Sequence, residues 1–194
     1  MLEKLMKYKR LIIITVVVIL CVIVGCVAIN KHNSTKYKSI YETFIEEGKY
    51  KKEVTDTEGI ELSYTVFDLN SDKVDELIIN ASEGDFETNY IYTYKDGEIK
   101  FIDKKYHYGK LNYNTQDKGI IFSEMRPSNA YGWIYTVYSL EGDKLTDTTA
   151  YLVTISPEGT KYQRLSSEGS TDLSEDDYKA AMNNNQELER TEIK

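Results

Sequence analysis

The chain has 194 residues and a formal net charge of −8, from 24 basic and 32 acidic side chains. Five basic residues lie in the first 32 positions, where Glu3 is the one acidic residue, so residues 33–194 keep 19 basic and 31 acidic side chains. A segment this acidic repels nucleic acid, which excludes a nucleic-acid-binding function. Both cysteines, Cys21 and Cys26, lie near the N-terminus. The remainder therefore has no disulfide framework, thiolate metal site or cysteine nucleophile.

An uncharged apolar run extends from Leu11 to Ile29. As a helix, this run would span about 28 Å, close to the thickness of the hydrocarbon core of a bilayer. Four positive charges precede it, so the positive-inside rule keeps the N-terminus in the cytoplasm. The sequence predicts that residues 11–29 contact the membrane as a single anchor helix, within an anchor segment 1–30. The rest of the chain is then on the extracytoplasmic side of the cell membrane.

The same segment also has features of a lipoprotein signal peptide. Residues 23–26, "IVGC", resemble a bacterial lipobox, in which Cys26 would carry the lipid. The apolar run continues past Cys26 to Ile29, which favours an uncleaved helix because cleavage leaves those residues without a purpose. Both alternatives place the following domain outside the cytoplasm.

A polar linker, 31–36, precedes a segment with helical periodicity. Apolar residues recur there at helical spacing, at Tyr37, Ile40, Tyr41, Phe44 and Ile45. Ser34 or Thr35 can cap the start of this helix, and Gly48 can end it.

From Leu62 onward the apolar period changes to two residues, which is typical of strands. The predicted strands lie near 62–67, 76–81, 89–94, 98–102, 110–114, 119–125, 131–140, 149–155 and 160–165. Asp96-Gly97 between two such runs indicates a tight hairpin. The pattern does not alternate between strands and helices, so the sheet is predicted to be antiparallel.

A second helix is predicted after Ser174, which is a good N-cap and is followed by three acidic residues. The resulting fold class is α+β, with an N-terminal membrane helix and then an antiparallel β-meander flanked by one helix at each end. The exported domain is predicted to cover 37–184, followed by a polar, frayed tail at 185–194.

Residues 67–77, "FDLNSDKVDEL", contain a possible calcium loop. Its candidate ligands at alternate positions are Asp68, Asn70, Asp72 and, further on, Glu76. These are hard oxygen donors of the kind that Ca²⁺ prefers. Lys73 stands where calcium loops usually have glycine, and a left-handed conformation there costs about 1–2 kcal/mol. The alternative is a bare polar turn between two strands, because Asn, Ser and Asp are turn formers.

The loop resembles the calcium loops of EF-hands, dockerins and integrin-type propellers. Three segments together also resemble small membrane-anchored or lipoprotein-type exported proteins of Gram-positive, Clostridium-like bacteria. These segments are 66–79, "VFDLNSDKVDELII", then 91–102, "IYTYKDGEIKFI", and 172–182, "DLSEDDYKAAM". The resemblance implies a fold and an exported location, and it implies no activity.

Aromatic residues are the second candidate site, because the chain has 17 tyrosines. An exposed aromatic face could bind sugars or peptides by stacking, and its candidates are Tyr90, Tyr92, Tyr94, Tyr106, Tyr108, Tyr113, Tyr131, Tyr135, Tyr138 and Trp133. The alternative is ordinary sheet packing with the tyrosine hydroxyls reaching water.

The sequence contains no recognisable catalytic motif, and His107 is the one histidine within the predicted domain. We therefore expect a protein that is not an enzyme, with no cofactor apart from possible Ca²⁺. The predicted function is a membrane-anchored binding or interaction module of the bacterial cell surface. Its partner is an unidentified surface glycan, peptide or protein. The alternatives are a cell-wall-directed hydrolase and a structural accessory domain of an envelope complex.

Replacing Cys26 by alanine separates the two modes of membrane attachment. If the apolar run is the anchor, Cys26→Ala leaves the mature size and the membrane retention after a high-salt wash unchanged, because apolar burial is insensitive to ionic screening. Immunoblots of membrane fractions measure both properties. A larger, unprocessed product would instead establish a lipoprotein.

Overall fold

A computed structural model describes Thr15 and residues 36–54, 59–126 and 131–193. The chain divides into two compact units, 1–36 and 37–194. Apart from Thr15 and the last residue of the first unit, the predicted anchor, Cys26 and the linker lie outside the described residues. Within the described ranges, no helix is both long enough and apolar enough to cross a membrane.

The second unit is built mainly of β-strands. Its helices are α1 (36–46), a short 3-10 helix (Lys49–Lys52) and α2 (Glu175–Met182). Its strands are β1 (Glu61–Phe67), β2 (Glu76–Glu83), β3 (Phe86–Lys95), β4 (Glu98–Tyr108), β5 (Asn112–Asn114), β6 (Gly119–Arg126), β7 (Tyr131–Glu141), β8 (Lys144–Ser156), β9 (Gly159–Ser166), β10 (Gly169–Leu173), β11 (Asn185–Glu187) and β12 (Thr191–Glu192).

The strands form two antiparallel sheets rather than one meander. The five-stranded sheet has the order β12-β1-β2-β3-β4, and the seven-stranded sheet has the order β10-β9-β8-β7-β6-β5-β11. The predicted α+β class, a single meander with a helix at each end, is therefore wrong, because the described residues form a mostly β structure of two sheets with short helices. The antiparallel pairing itself is confirmed.

A shared apolar core lies between the inner faces of the two sheets. Ile78 and Ile91 of the five-stranded sheet belong to the same cluster as Ile120 and Phe122 of the seven-stranded sheet, and all four are almost fully buried. Each buried side chain of this size contributes about 1.5–3 kcal/mol relative to an exposed one. The two sheets, packed face to face, thus form the main hydrophobic core.

Each helix covers part of the outer face of one sheet. The α1 residue Phe44 packs edge-on against Tyr92, with ring centroids 5.4 Å apart, within a cluster on the five-stranded sheet. On the seven-stranded sheet, the α2 residue Tyr178 stacks on Tyr162 of β9 at 4.8 Å. Nearby, β7 and β8 bury Val137 and Tyr151. The helices are thus covers for sheet faces and not end pieces of a meander.

Several local predictions are confirmed. Asp96 and Gly97 both have positive φ, 57° and 86°, as expected for the tight hairpin between β3 and β4. Ser174 caps α2, since its hydroxyl accepts a hydrogen bond from the Asp177 amide at 3.1 Å. In both cases a short-range backbone requirement selects the residue type.

The C-terminal residues differ from the predicted polar tail. Strand β11 pairs with β5 of the seven-stranded sheet, and β12 pairs with β1 of the five-stranded sheet. Between them Leu188 is buried in the core shared by the sheets. The last residues therefore connect the two sheets.

Candidate ligand-binding surfaces

The predicted calcium loop joins β1 to β2 and folds back on its own backbone. The Asp68 carboxylate accepts hydrogen bonds from the amides of Asp72 (3.2 Å) and Lys73 (3.0 Å). Asn70 accepts a hydrogen bond from the Asp72 amide at 3.1 Å, and Asp72 accepts one from the Val74 amide at 2.7 Å. These three predicted ligands lie together in a tight turn, and their oxygens bind the loop amides.

The backbone of the loop enters the left-handed region at Ser71 (φ 62°) and Lys73 (φ 72°). A side chain in this region costs about 1–2 kcal/mol. The hydrogen bonds that Asp68 and Asn70 accept from the loop amides offset this cost by fixing the turn. Lys73 adopts the conformation that calcium loops usually assign to glycine, so its strain is a property of the loop with or without a cation.

The fourth predicted ligand, Glu76, lies apart from the loop surface. It is fully buried at the start of β2, where its carboxylate accepts hydrogen bonds from the Leu69 amide (2.9 Å) and the Thr93 hydroxyl (3.0 Å). Burial is the main cause that raises the pKa of Glu76 to about 8. Among the residues described, no group of three or more His, Cys, Asp and Glu side chains is arranged to hold a metal ion. Calcium binding stays a prediction.

His107 is a buried structural residue. Its Nε2 donates to the Lys110 carbonyl at 2.8 Å, and its Nδ1 accepts from the Ser123 amide at 2.9 Å. Burial lowers its pKa. The neighbouring Glu87 is bound by both terminal nitrogens of Arg190. Both ring nitrogens of His107 are therefore bonded to backbone groups, and the Glu87 carboxylate is bound to Arg190.

The predicted aromatic residues are divided among several environments. Tyr90, Tyr92 and Tyr94 share one face, as predicted, and α1 covers that face. Tyr113 and Tyr138 pack in the core between the sheets, and Tyr135 packs near α2. For these six tyrosines the alternative, ordinary sheet packing, is the one observed. The remaining four, Tyr106, Tyr108, Tyr131 and Trp133, face outward.

An exposed apolar surface extends over the outer face of the seven-stranded sheet and the adjoining ends of β3 and β4, which belong to the five-stranded sheet. We define this aromatic band as Phe86, Tyr108, Met125, Tyr131, Trp133 and Ile155. The ring centroids of Phe86 and Tyr108 are 5.1 Å apart, and those of Tyr108 and Trp133 are 5.0 Å apart.

Strand register continues the band across the sheet. Met125 is the direct cross-strand partner of Trp133, and Tyr131 is that of Ile155. Tyr131 is 80% exposed and Phe86 is 65% exposed. Phe86, Met125 and Ile155 were not predicted from the sequence, because alternation assigns them to a face without showing whether a helix covers it.

A second open surface is a groove of about 570 Å³ on the seven-stranded sheet. Its lining comes from β6 to β9 and the turn after β9. The lining residues are Glu124, Ile134, Thr136, Tyr138, Asp147, Thr148, Thr149, Ala150, Leu165, Ser166 and Ser167. Tyr138 also packs against the core, so the groove opens from the inner face of the sheet. No sequence pattern predicts this groove, because its lining comes from strands that are distant along the chain.

Comparisons with known proteins add no assignment to these surfaces. No family model matches the chain, and neither a curated protein nor a solved structure matches it.

Replacing Glu76 by glutamine changes the pH dependence of stability. The pKa of Glu76 rises from its ordinary 4.5 to about 8 on folding, so the folded protein holds the proton more tightly than the unfolded chain. The free energy of unfolding therefore loses a contribution as the pH increases between these two values. Glu76→Gln removes this loss, and its advantage over the wild type is expected to grow across the window. Denaturant titrations at several pH values measure it.

The exposed Glu61→Gln at the start of β1 is the matched control, and its difference from wild type is expected to stay constant over the same pH range. Parallel stability curves for wild type and Glu76→Gln would contradict the burial of an ionisable Glu76.

The calcium prediction is tested by thermal melting in millimolar CaCl₂ against EDTA at matched ionic strength. If the loop binds Ca²⁺, the Kd is expected to be weak, about 10⁻⁴–10⁻³ M, and calcium raises the melting temperature by mass action. Lys73→Gly enlarges the calcium-dependent rise because glycine adopts the left-handed conformation without strain. Asp68→Ala abolishes it. An unchanged melting temperature in Lys73→Gly would identify the loop as a bare turn.

Proposed function

We propose that the protein is a membrane-anchored binding module of the bacterial cell surface, with no catalytic activity of its own. The apolar run 11–29 serves as the anchor, and residues 37–193 form the binding domain on the extracytoplasmic side. The support for export is the position of positive charges before an uncharged run of spanning length. The support for binding comes from the aromatic band.

The aromatic band is the observation that carries this proposal. Contiguous exposed apolar patches are uncommon on proteins that have no partner, and aromatic residues and methionine are enriched in interfaces. Trp133 and Tyr108 lie half-buried at the centre of the band, with Phe86 and Tyr131 exposed at its margins. This arrangement suits a surface glycan, peptide or protein that packs on aromatic rings.

One observation favours the alternative, a cell-wall-directed hydrolase. Glu124 and Asp147 line the same groove, and glycoside hydrolysis uses a pair of carboxylates. Both side chains are exposed, however, and the groove is open to solvent. Catalytic sites usually exclude water around the reacting groups, so the groove suits binding better.

The test uses the full chain in detergent micelles, with insoluble cell-wall material and solubilised envelope protein as probes. Trp133 is the only tryptophan, so its emission reports directly on the band. We expect binding to one of these probes to shift this emission. The double change Phe86→Ala and Tyr131→Ala is expected to weaken binding about tenfold or more, because exposed aromatic anchors carry much of the energy of an interface.

Phe101→Ala is the matched control, because Phe101 is an exposed aromatic residue outside the band, beside Tyr92. It is expected to bind like the wild type. An equal loss in this control, or no binding to either probe, would contradict the proposal. Release of new reducing ends from the cell-wall material, abolished by Glu124→Gln, would replace it with the hydrolase. Binding to envelope protein alone would favour the structural accessory role.

A further inference from the structure

The groove on the seven-stranded sheet has an apolar floor with a polar rim. Ile134, Ala150 and Leu165 form the floor; Ala150 pairs directly with Leu165 of β9 and with Thr136 of β7, and Ile134 is two residues before Thr136 on the same face of β7. The lining also includes the hydroxyl-bearing residues Thr136, Thr148 and Ser167. A floor of this kind matches the C–H face of a sugar-like ring, while the rim can hydrogen-bond to its hydroxyls.

Two carboxylates give the rim an excess of negative charge. Glu124 and Asp147 are exposed, and no ion pair among the side chains that the structure describes, which exclude that of Arg126, involves either of them. Their charges reach the groove wall, since both add to the effect of burial in raising the pKa of Tyr138. An anionic ligand would be repelled from this rim, and a cationic ligand would be attracted to it.

The protein already places one ammonium group at the edge of this region. Lys105 Nζ lies 4.7 Å from the centroid of the Tyr138 ring and 2.9 Å from the Asp103 carboxylate. An aromatic face beside carboxylates is a favourable environment for an ammonium. Lys105 is thus one positive charge among three carboxylates, those of Asp103, Glu124 and Asp147, and Asp147 also interacts with it electrostatically. The region therefore keeps a net negative charge.

We propose that this groove binds a hydroxyl-bearing ring that carries a primary ammonium, which is the chemistry of an amino sugar with a free amine. The ring lies on Ile134, Ala150 and Leu165, its hydroxyls bond to the rim, and its ammonium faces Glu124 and Asp147. This site shares no residue with the aromatic band, so the two proposals can be tested separately.

The test is isothermal titration calorimetry of the full chain in detergent micelles. The probe is a glucosamine oligomer at a pH where its amines are protonated, compared with the N-acetylated oligomer of equal length. We expect the free-amine oligomer to bind about tenfold or more tightly than the acetylated one, because acetylation removes the charge that Glu124 and Asp147 recognise. Glu124→Gln with Asp147→Asn is expected to abolish this preference.

Glu61→Gln with Glu83→Gln is the charge-matched control, since both residues are exposed on the five-stranded sheet and line no part of the groove. It is expected to keep the preference, as is the band variant Phe86→Ala with Tyr131→Ala. Equal binding of the acetylated oligomer would overturn the proposal. So would equally tight binding of spermidine, which has amines and no hydroxyls, or an equal loss in the charge-matched control.

Discussion

The five-stranded sheet is apolar on both faces, and the need to bury both faces is the constraint on which the rest of the structure depends. Within β2, Ile78 and Ile79 point to opposite faces and both are fully buried. The inner face is covered by the seven-stranded sheet and the outer face by α1. The seven-stranded sheet is wider. The five-stranded sheet covers only part of its inner face, and α2 covers only part of its outer face. The groove lies on the part of its inner face that the narrower five-stranded sheet leaves open. The aromatic band lies on the part of its outer face that α2 leaves open, and it continues onto Phe86 and Tyr108 of the five-stranded sheet. Each candidate surface therefore lies where a covering element ends.

Local features of this fold are readable from sequence because they depend on a few neighbouring residues. The Asp96-Gly97 hairpin needs positive φ at both positions, and the Ser174 cap needs a side-chain acceptor. Partition into two sheets depends instead on pairing between distant strands, such as β12 with β1 and β11 with β5. The residues of 185–193 are mostly polar because they form short edge strands, so their pattern is the same as that of a frayed tail. Consecutive strands without intervening helices fit a single meander as well as they fit two sheets.

The candidate sites show the same contrast between local features, which the sequence predicts, and long-range packing, which it does not. The tight turn of Asp68, Asn70 and Asp72 follows from side chains that bond their own backbone, a tendency that short polar residues carry everywhere. The place of Glu76 depends on the register of β2 with β1, which pairs Glu76 with Phe67 on the inner face. Among the aromatic residues, Tyr92 and Tyr131 were equal candidates by composition and alternation. They differ only because α1 covers Tyr92 and nothing in the described residues covers Tyr131. Whether a distant element covers a side chain cannot be read from the neighbouring residues in the sequence.

The aromatic band, on the uncovered outer face of the seven-stranded sheet and the adjoining ends of β3 and β4, is proposed to be the surface that binds the partner. Hydrogen–deuterium exchange of the full chain, with and without solubilised envelope material, tests it most directly, because bound backbone amides become protected wherever the partner lies. New protection is expected at the strand segments that carry the band, near Tyr108, Met125, Trp133 and Ile155, with unchanged exchange in the loop 68–75. Protection confined to that loop, or to α1, would show that the partner binds elsewhere.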